Sequence, residues 1–149
     1  MGGASESTFD KETGIWKGTV TSANNGGFVG IRSTVLDQPL DMSKCTGLQI
    51  KIRGGEGRRF KATVRDSTEF NGIAWTSSFD TVSLPTLSFS AFSRPSQLNG
   101  GGVTTVRIPF KKLVPTLFAR TVADKVFNSD SIQAIQFIYS KVSVSGLFQ

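Results

Sequence analysis

Residues 47–65 read Gly47-Leu48-Gln49-Ile50-Lys51-Ile52-Arg53-Gly54-Gly55-Glu56-Gly57-Arg58-Arg59-Phe60-Lys61-Ala62-Thr63-Val64-Arg65, and their pattern decides the fold class. Leu48, Ile50 and Ile52 alternate with Gln49, Lys51 and Arg53. Phe60, Ala62 and Val64 alternate with Lys61, Thr63 and Arg65. Successive side chains of a strand point to opposite faces, so each run carries one apolar face and one basic, wet face. The glycine-rich segment between them predicts a turn, and the whole stretch predicts a β-hairpin.

The same period recurs on both sides. Strands are expected over 15–21 and 27–33, joined as a hairpin by Asn24-Asn25-Gly26, and again over 73–79, 86–92, 104–110 and 132–140. Many short strands separated by turn residues point to a sandwich rather than to βαβ units. No stretch carries a 3.6-residue apolar stripe over three turns; residues 123–131 have room for one short helical turn. The segment 84–102 is rich in Ser, Pro and Gly and ends in Asn99-Gly100-Gly101-Gly102, the composition of an insertion or long loop. No repeat of 20–50 residues is present.

A chain of 149 residues is one domain long and can build a core without staples. No apolar run reaches the ~20 residues of a spanning helix. The single cysteine, Cys45, cannot form an internal disulfide, which fits a reducing compartment, and its expected role is that of a passive small residue. The chain contains no histidine, which removes Ser-His-Asp and Cys-His catalysis and the commonest zinc sites. Gly54-Gly55-Glu56-Gly57 lacks the third glycine and the following helix of a dinucleotide loop. Asp66 with Glu69 or Asp80 is the only carboxylate pairing worth weighing for glycosidase chemistry, and capping and turn roles explain isolated Asp residues better. The sequence therefore predicts a non-enzyme, with no catalytic residue, metal or cofactor.

Net charge is +6, which favours anionic partners or serves solubility alone. The basic cluster Lys51, Arg53, Arg58, Arg59, Lys61 and Arg65 falls within the expected hairpin and is the leading candidate for binding RNA or a protein partner. The plain alternative is a solvated sheet face whose charges discourage edge pairing. Phe70 and Trp75 flank the turn Asn71-Gly72 and form a candidate sugar platform, with Trp16 and Tyr139 as further aromatics; core packing is the default for such residues.

The order of these segments resembles the complex I intermediate-associated protein 30 domain. The resemblance rests on Met1-Gly2-Gly3-Ala4-Ser5-Glu6-Ser7, Asn25-Gly26-Gly27-Phe28 with Ile31-Arg32, Leu40-Asp41-Met42-Ser43 followed by Gly47-Leu48, and Ile52-Arg53-Gly54 with Arg59-Phe60-Lys61. It continues through Thr76-Ser77-Ser78-Phe79-Asp80, Ile108-Pro109-Phe110, Pro115 and Arg120, so it spans nearly the whole chain. It implies an all-β, galactose-binding-like jelly-roll β-sandwich, similar to some carbohydrate-binding modules and without catalytic residues of its own. It also implies a role as an interaction module in organelle assembly factors.

The stretch from Phe70 to Thr81, and Arg120-Thr121-Val122, look most like the copy inserted in chloroplast short-chain-dehydrogenase-like proteins of the high-chlorophyll-fluorescence class. That likeness implies support of translation of the photosystem II D1 messenger RNA, with RNA or assembly proteins as partners and a dehydrogenase-like domain in cis. A mitochondrial complex I assembly factor is the alternative. On this reading residues 1–149 form one monomeric domain excised from a larger protein, and its two termini should lie close together. Two features depart from the family pattern: Val103 or Thr104 stands where a tryptophan usually precedes Ile-Pro-Phe, and the spacer from Asp80 to Ile108 is long.

Overall fold

The computed structural model describes residues 4–25, 27–55, 57–82 and 103–140. Ten strands are formed among them: β1 Glu6–Asp10, β2 Ile15–Thr19, β3 Phe28–Arg32, β4 Gly47–Arg53, β5 Arg59–Arg65, β6 Ala74–Asp80, β7 Val103–Pro109, β8 Val114–Leu117, β9 Arg120–Thr121 and β10 Ala134–Ser140. All pairings are antiparallel. Six strands form one sheet in the order β3-β10-β5-β6-β8-β9; β4 pairs with β7, and β1 with β2. The fold class is the all-β sandwich that the alternation predicted.

The core lies between the six-stranded sheet and the β4–β7 pair. Ala62 and Val64 of β5, Trp75 and Phe79 of β6, Val106 and Ile108 of β7, with Leu113 and Ile132, are its buried members. Leu48, Ile50 and Ile52 of β4 pack against them from the other layer. Ile132 and Val64 are fully buried, so truncating Ile132 to alanine costs about 2–5 kcal/mol. A second aromatic group surrounds Phe60, whose ring lies 5.3 Å from Tyr139, 5.8 Å from Phe79 and 6.1 Å from Trp16.

The hairpin expected over 47–65 does not form. β4 takes β7 as its partner, whereas β5 sits between β10 and β6, so the glycine segment carries the chain from one layer to the other. Gly54, Gly55 and Gly57 all adopt positive φ (87°, 83° and 72°), a backbone that non-glycine residues resist. The crossing is locked from the side by Thr81, whose Oγ1 accepts from the Arg58 amide at 3.1 Å and donates to the Arg58 carbonyl at 3.2 Å. A Cβ on Gly55 would stand 2.5 Å from the Thr81 side chain. Both strands turn their apolar residues inward in either arrangement, so alternation alone does not distinguish a hairpin from a layer crossing.

The expected hairpin of 15–21 with 27–33 is also replaced. β2 folds back on β1, with Phe9 opposite Trp16, while β3 joins β10. Residues 123–131 contain no helical turn; Asp124 has φ 57°, and the surrounding backbone is used by other segments. The Met42 amide donates to the Ser129 carbonyl at 2.8 Å, and the Asn128 amide to Asp66 Oδ2 at 3.0 Å. The expected strand 86–92 and the insertion 84–102 lie outside the described residues.

Candidate functional site

The outward face of the six-stranded sheet holds a groove of about 230 Å³. Its floor follows from the pairing register. Lys61, Thr63 and Arg65 point outward from β5, and Thr63 stands between Gln136 of β10 and Thr76 of β6. Ala74 pairs with Thr116, which extends the floor to β8. Phe70, 78% exposed, and Phe118, 76% exposed, form the rim.

A hydroxyl ladder runs across the floor. Thr63 Oγ1 and Thr76 Oγ1 are 3.1 Å apart, Thr76 Oγ1 and Thr116 Oγ1 3.3 Å, and Thr116 Oγ1 donates to the Ala74 carbonyl at 2.8 Å. That last bond fixes the direction of the others, because each hydroxyl has one proton. Thr76 donates to Thr116 and Thr63 donates to Thr76, so every hydroxyl proton of the ladder is used within the floor, with Thr63 itself buried.

The donors come from the side of β3 and β5. Arg65 Nη1 donates to the Gly72 carbonyl at 3.0 Å, and Arg32 Nη1 reaches the Phe70 carbonyl at 3.5 Å. The Arg32 guanidinium also lies over the Phe70 ring, 5.1 Å from its centre. Both arginines therefore hold the 66–73 loop at the groove edge. Arg65 Nε is buried without a hydrogen-bond partner, and burial, with the Arg32 charge adding to it, holds the Arg65 guanidinium below the usual arginine range. Among the described residues, no carboxylate lies within ion-pair distance of Arg32, Lys61 or Arg65.

The turn that carries Phe118 is strained. Leu117 pairs with Arg120, and the two loop residues Phe118 and Ala119 have φ of 48° and 63°. That sign pattern belongs to a type I′ hairpin turn, whose usual occupants are Asn and Gly. Each non-glycine residue held there costs roughly 1–2 kcal/mol.

The six basic residues of the expected cluster do not share one surface. Lys51 and Arg53 project from β4 on the side opposite the groove, near Arg107, whose Nε donates to Gln49 Oε1 at 3.2 Å. Arg59 is bound to Asp80 through Nε to Oδ1 at 2.8 Å and Nη2 to Oδ2 at 2.9 Å. This pairing lowers the Asp80 carboxyl below the usual range. Arg58 lies over the Tyr139 ring at 5.7 Å. Only Lys61 and Arg65 reach the groove. Lys51 and Arg53 part from the others because β4 belongs to a different layer, whereas Arg59 shares the outward face of β5 with Lys61 and Arg65 but is tied to Asp80.

The aromatic platform divides as well. Phe70 stands at the groove rim, but Trp75 is a core residue, 4% exposed, and cannot stack on a ligand there. Its indole N–H donates to Asp66 Oδ2 at 2.9 Å, and its ring meets Phe127 edge-on at 5.2 Å. Trp16 and Tyr139 pack on Phe60. Asp66 is thus committed to the indole and to the Asn128 amide, while Asp80 sits at the far end of β6 against Arg59. They form no carboxylate pair.

Sequence reasoning missed Gln136, Thr116 and Phe118 as groove residues, and Arg32 as the residue that holds Phe70 at the rim. They come from three strands and a turn far apart in the chain, and only the strand order brings them together. Among the described residues, no group of His, Cys, Asp and Glu could hold a metal, Cys45 is exposed, and no helix is long and apolar enough to cross a membrane.

Among curated proteins, none matches the sequence. The model of the family described as complex I intermediate-associated protein 30 (CIA30) matches residues 1–149. With that match over the whole chain, on an all-β sandwich of the expected class, the chain belongs to the complex I intermediate-associated protein 30 family.

Proposed function

We propose that this domain is a non-catalytic binding module of an organelle complex-assembly factor, and that it holds single-stranded RNA across the grooved outward face of its six-stranded sheet. The observation that carries the reading is the groove itself. Lys61 and Arg65 line it, Arg32 borders it, and the exposed rings of Phe70 and Phe118 stand at its rim. Cations that follow a phosphate backbone, together with aromatic rings on which bases stack, are the usual means of holding a single strand. The finer reading, drawn from the resemblance to the chloroplast branch, is support of D1 messenger RNA translation in chloroplasts.

Several features support a module without chemistry of its own. The chain lacks histidine, and Asp66 and Asp80 are both engaged in structural bonds. A dehydrogenase-like domain in cis belongs to the same finer reading, drawn from the resemblance to the chloroplast branch.

The family description favours a second reading, in which the partner is a protein of a mitochondrial complex I assembly intermediate. A gel-shift titration with the D1 leader and an unrelated single strand tests the RNA reading. Saturable binding that Lys61→Glu weakens supports it. Absence of any RNA shift, with co-purification of complex I subunits by the tagged full-length protein, replaces it with the second.

A further inference from the structure

We infer that Arg32 and Arg65 form a phosphate subsite at the end of the groove, with the Phe70 ring beside it to receive the base or other planar group attached to that phosphate. The inference deepens the reading of the grooved face as the binding face and rests on it.

Arg32 leaves β3 and Arg65 leaves β5, and β10 between them presents only Ala134 opposite Arg65 and Gln136 opposite Arg32. Two guanidinium groups thus share one side of the sheet with a strand of uncharged residues between them. Each repels the other, and no carboxylate among the described residues lies within ion-pair distance of either. Such an arrangement raises the energy of the unliganded protein and is relieved by an anion.

Hydrogen-bond supply agrees. A guanidinium has five N–H donors. Arg65 spends one on Gly72 and Arg32 one on Phe70, while Arg65 Nε is buried without a partner and is not open to a ligand. The remaining donors suit an oxyanion, which arginine binds in a forked geometry. Lys61, on the same face of β5 as Arg65, adds a third positive charge. Cations on one face of the sheet suit a phosphodiester backbone, which carries one negative charge per nucleotide. Thr76 and Thr116 add hydroxyl oxygens to the same floor, which suits hydroxyls of a sugar attached to the phosphate.

The loop carbonyls offer the plain alternative that both arginines serve only as clamps on residues 66–73. The two roles separate experimentally. Arginine Nε–H resonances of the whole chain are followed by NMR during titration with inorganic phosphate, uridine monophosphate and uridine, with chloride matching the ionic strength. The expected result is a saturable shift of the Arg32 and Arg65 signals with the monophosphate and none with uridine. Arg32→Gln weakens that binding about tenfold, the loss expected when one charged hydrogen bond is removed. A shift with inorganic phosphate of equal affinity assigns the site to the phosphate alone and leaves the ring contact out. Absence of a saturable shift with phosphate and monophosphate overturns the subsite. Arg65→Gln loses the Gly72 bond and Arg32→Gln the longer Phe70 contact, so Lys61→Gln serves as the companion to Arg32→Gln, each checked for an unchanged amide spectrum elsewhere. Monophosphate binding without RNA binding keeps the subsite and rejects the RNA reading. RNA binding untouched by Arg32→Gln, with no monophosphate shift, does the reverse.

Discussion

The Trp75 indole N–H donates to Asp66 Oδ2 at 2.9 Å, and the same oxygen accepts from the Asn128 amide at 3.0 Å. One carboxylate oxygen therefore joins the end of β5, the core face of β6 and the segment that leads into β10. Trp75 is buried, and Phe127, next to Asn128, packs edge-on against it. Removing the acceptor leaves a buried donor without a partner, which costs more than the bond itself contributes.

Asp66→Ala should therefore lower the unfolding free energy by about 2–3 kcal/mol. Trp75→Phe in the Asp66→Ala background should cost much less than Trp75→Phe alone, since the unsatisfied N–H goes with the ring. Urea denaturation of the four proteins measures the coupling. Strict additivity of the two changes would remove the bond from the account of stability.

The layer crossing gives a second test. Gly54 and Gly55 both have positive φ, but a Cβ on Gly54 meets nothing within 4 Å, whereas one on Gly55 meets the Thr81 side chain. Gly54→Ala should cost about 1–2 kcal/mol from backbone strain alone. Gly55→Ala should cost about 2–4 kcal/mol, because overpacking adds to strain. Thr81→Ala should relieve part of the Gly55→Ala penalty and none of the Gly54→Ala penalty. Equal penalties at both glycines would mean that Thr81 does not lock the crossing.

How much of this was legible in the sequence depends on what a period of two can encode. The inward set Leu48, Ile50, Ile52, Phe60, Ala62 and Val64 was readable directly, because alternation reports which face is buried. The partner of each strand was not readable. β5 finds β10, which lies some seventy residues further along the chain, and no local signal in Phe60 or Val64 names Tyr139 or Ile135 as the neighbour. The same limit hid the groove. Lys61 and Arg65 stood out as basic residues on a wet face, but Arg32 and Gln136 join them only through strand order. Trp75 misled because an aromatic residue close to a turn looks the same whether it points inward or outward. Its partner Asp66, nine residues away, marked the inward choice.

Arg59 and Asp80 give a pH prediction whose sign follows from the shift. Hydrogen bonding from Arg59 lowers the Asp80 carboxyl below its ordinary value. The contribution is fully present above the ordinary carboxylate range and is lost as the pH falls through the lowered value of the folded protein. Asp80→Asn should therefore flatten the acid limb of the stability curve while leaving the shape above neutral pH unchanged. Both groups are exposed, so added salt should shrink the difference between the two proteins. Urea midpoints across the acid range at two salt concentrations test this; parallel acid limbs would show that the pair does not couple protonation to folding.

The strained turn at Phe118 and Ala119 links stability to binding. Neither residue is suited to positive φ, yet both occupy it at the groove rim, where the turn places the Phe118 ring beside the ligand space. Replacing the pair by the residues the turn prefers, Phe118→Asn with Ala119→Gly, removes the steric cost of two left-handed residues. The double variant should be more stable by about 1–2 kcal/mol, the higher backbone entropy of glycine offsetting part of the gain. The same change removes one of the two exposed rings on which a base stacks, and loss of such a contact costs about 1–3 kcal/mol per base. The expected outcome is thus a higher melting temperature with weaker single-strand binding, and Ala119→Gly alone should raise stability with affinity unchanged. If the double variant gains stability and keeps full affinity, Phe118 is no part of the binding face. If Ala119→Gly alone weakens binding as much as the pair, turn rigidity rather than the ring holds the ligand.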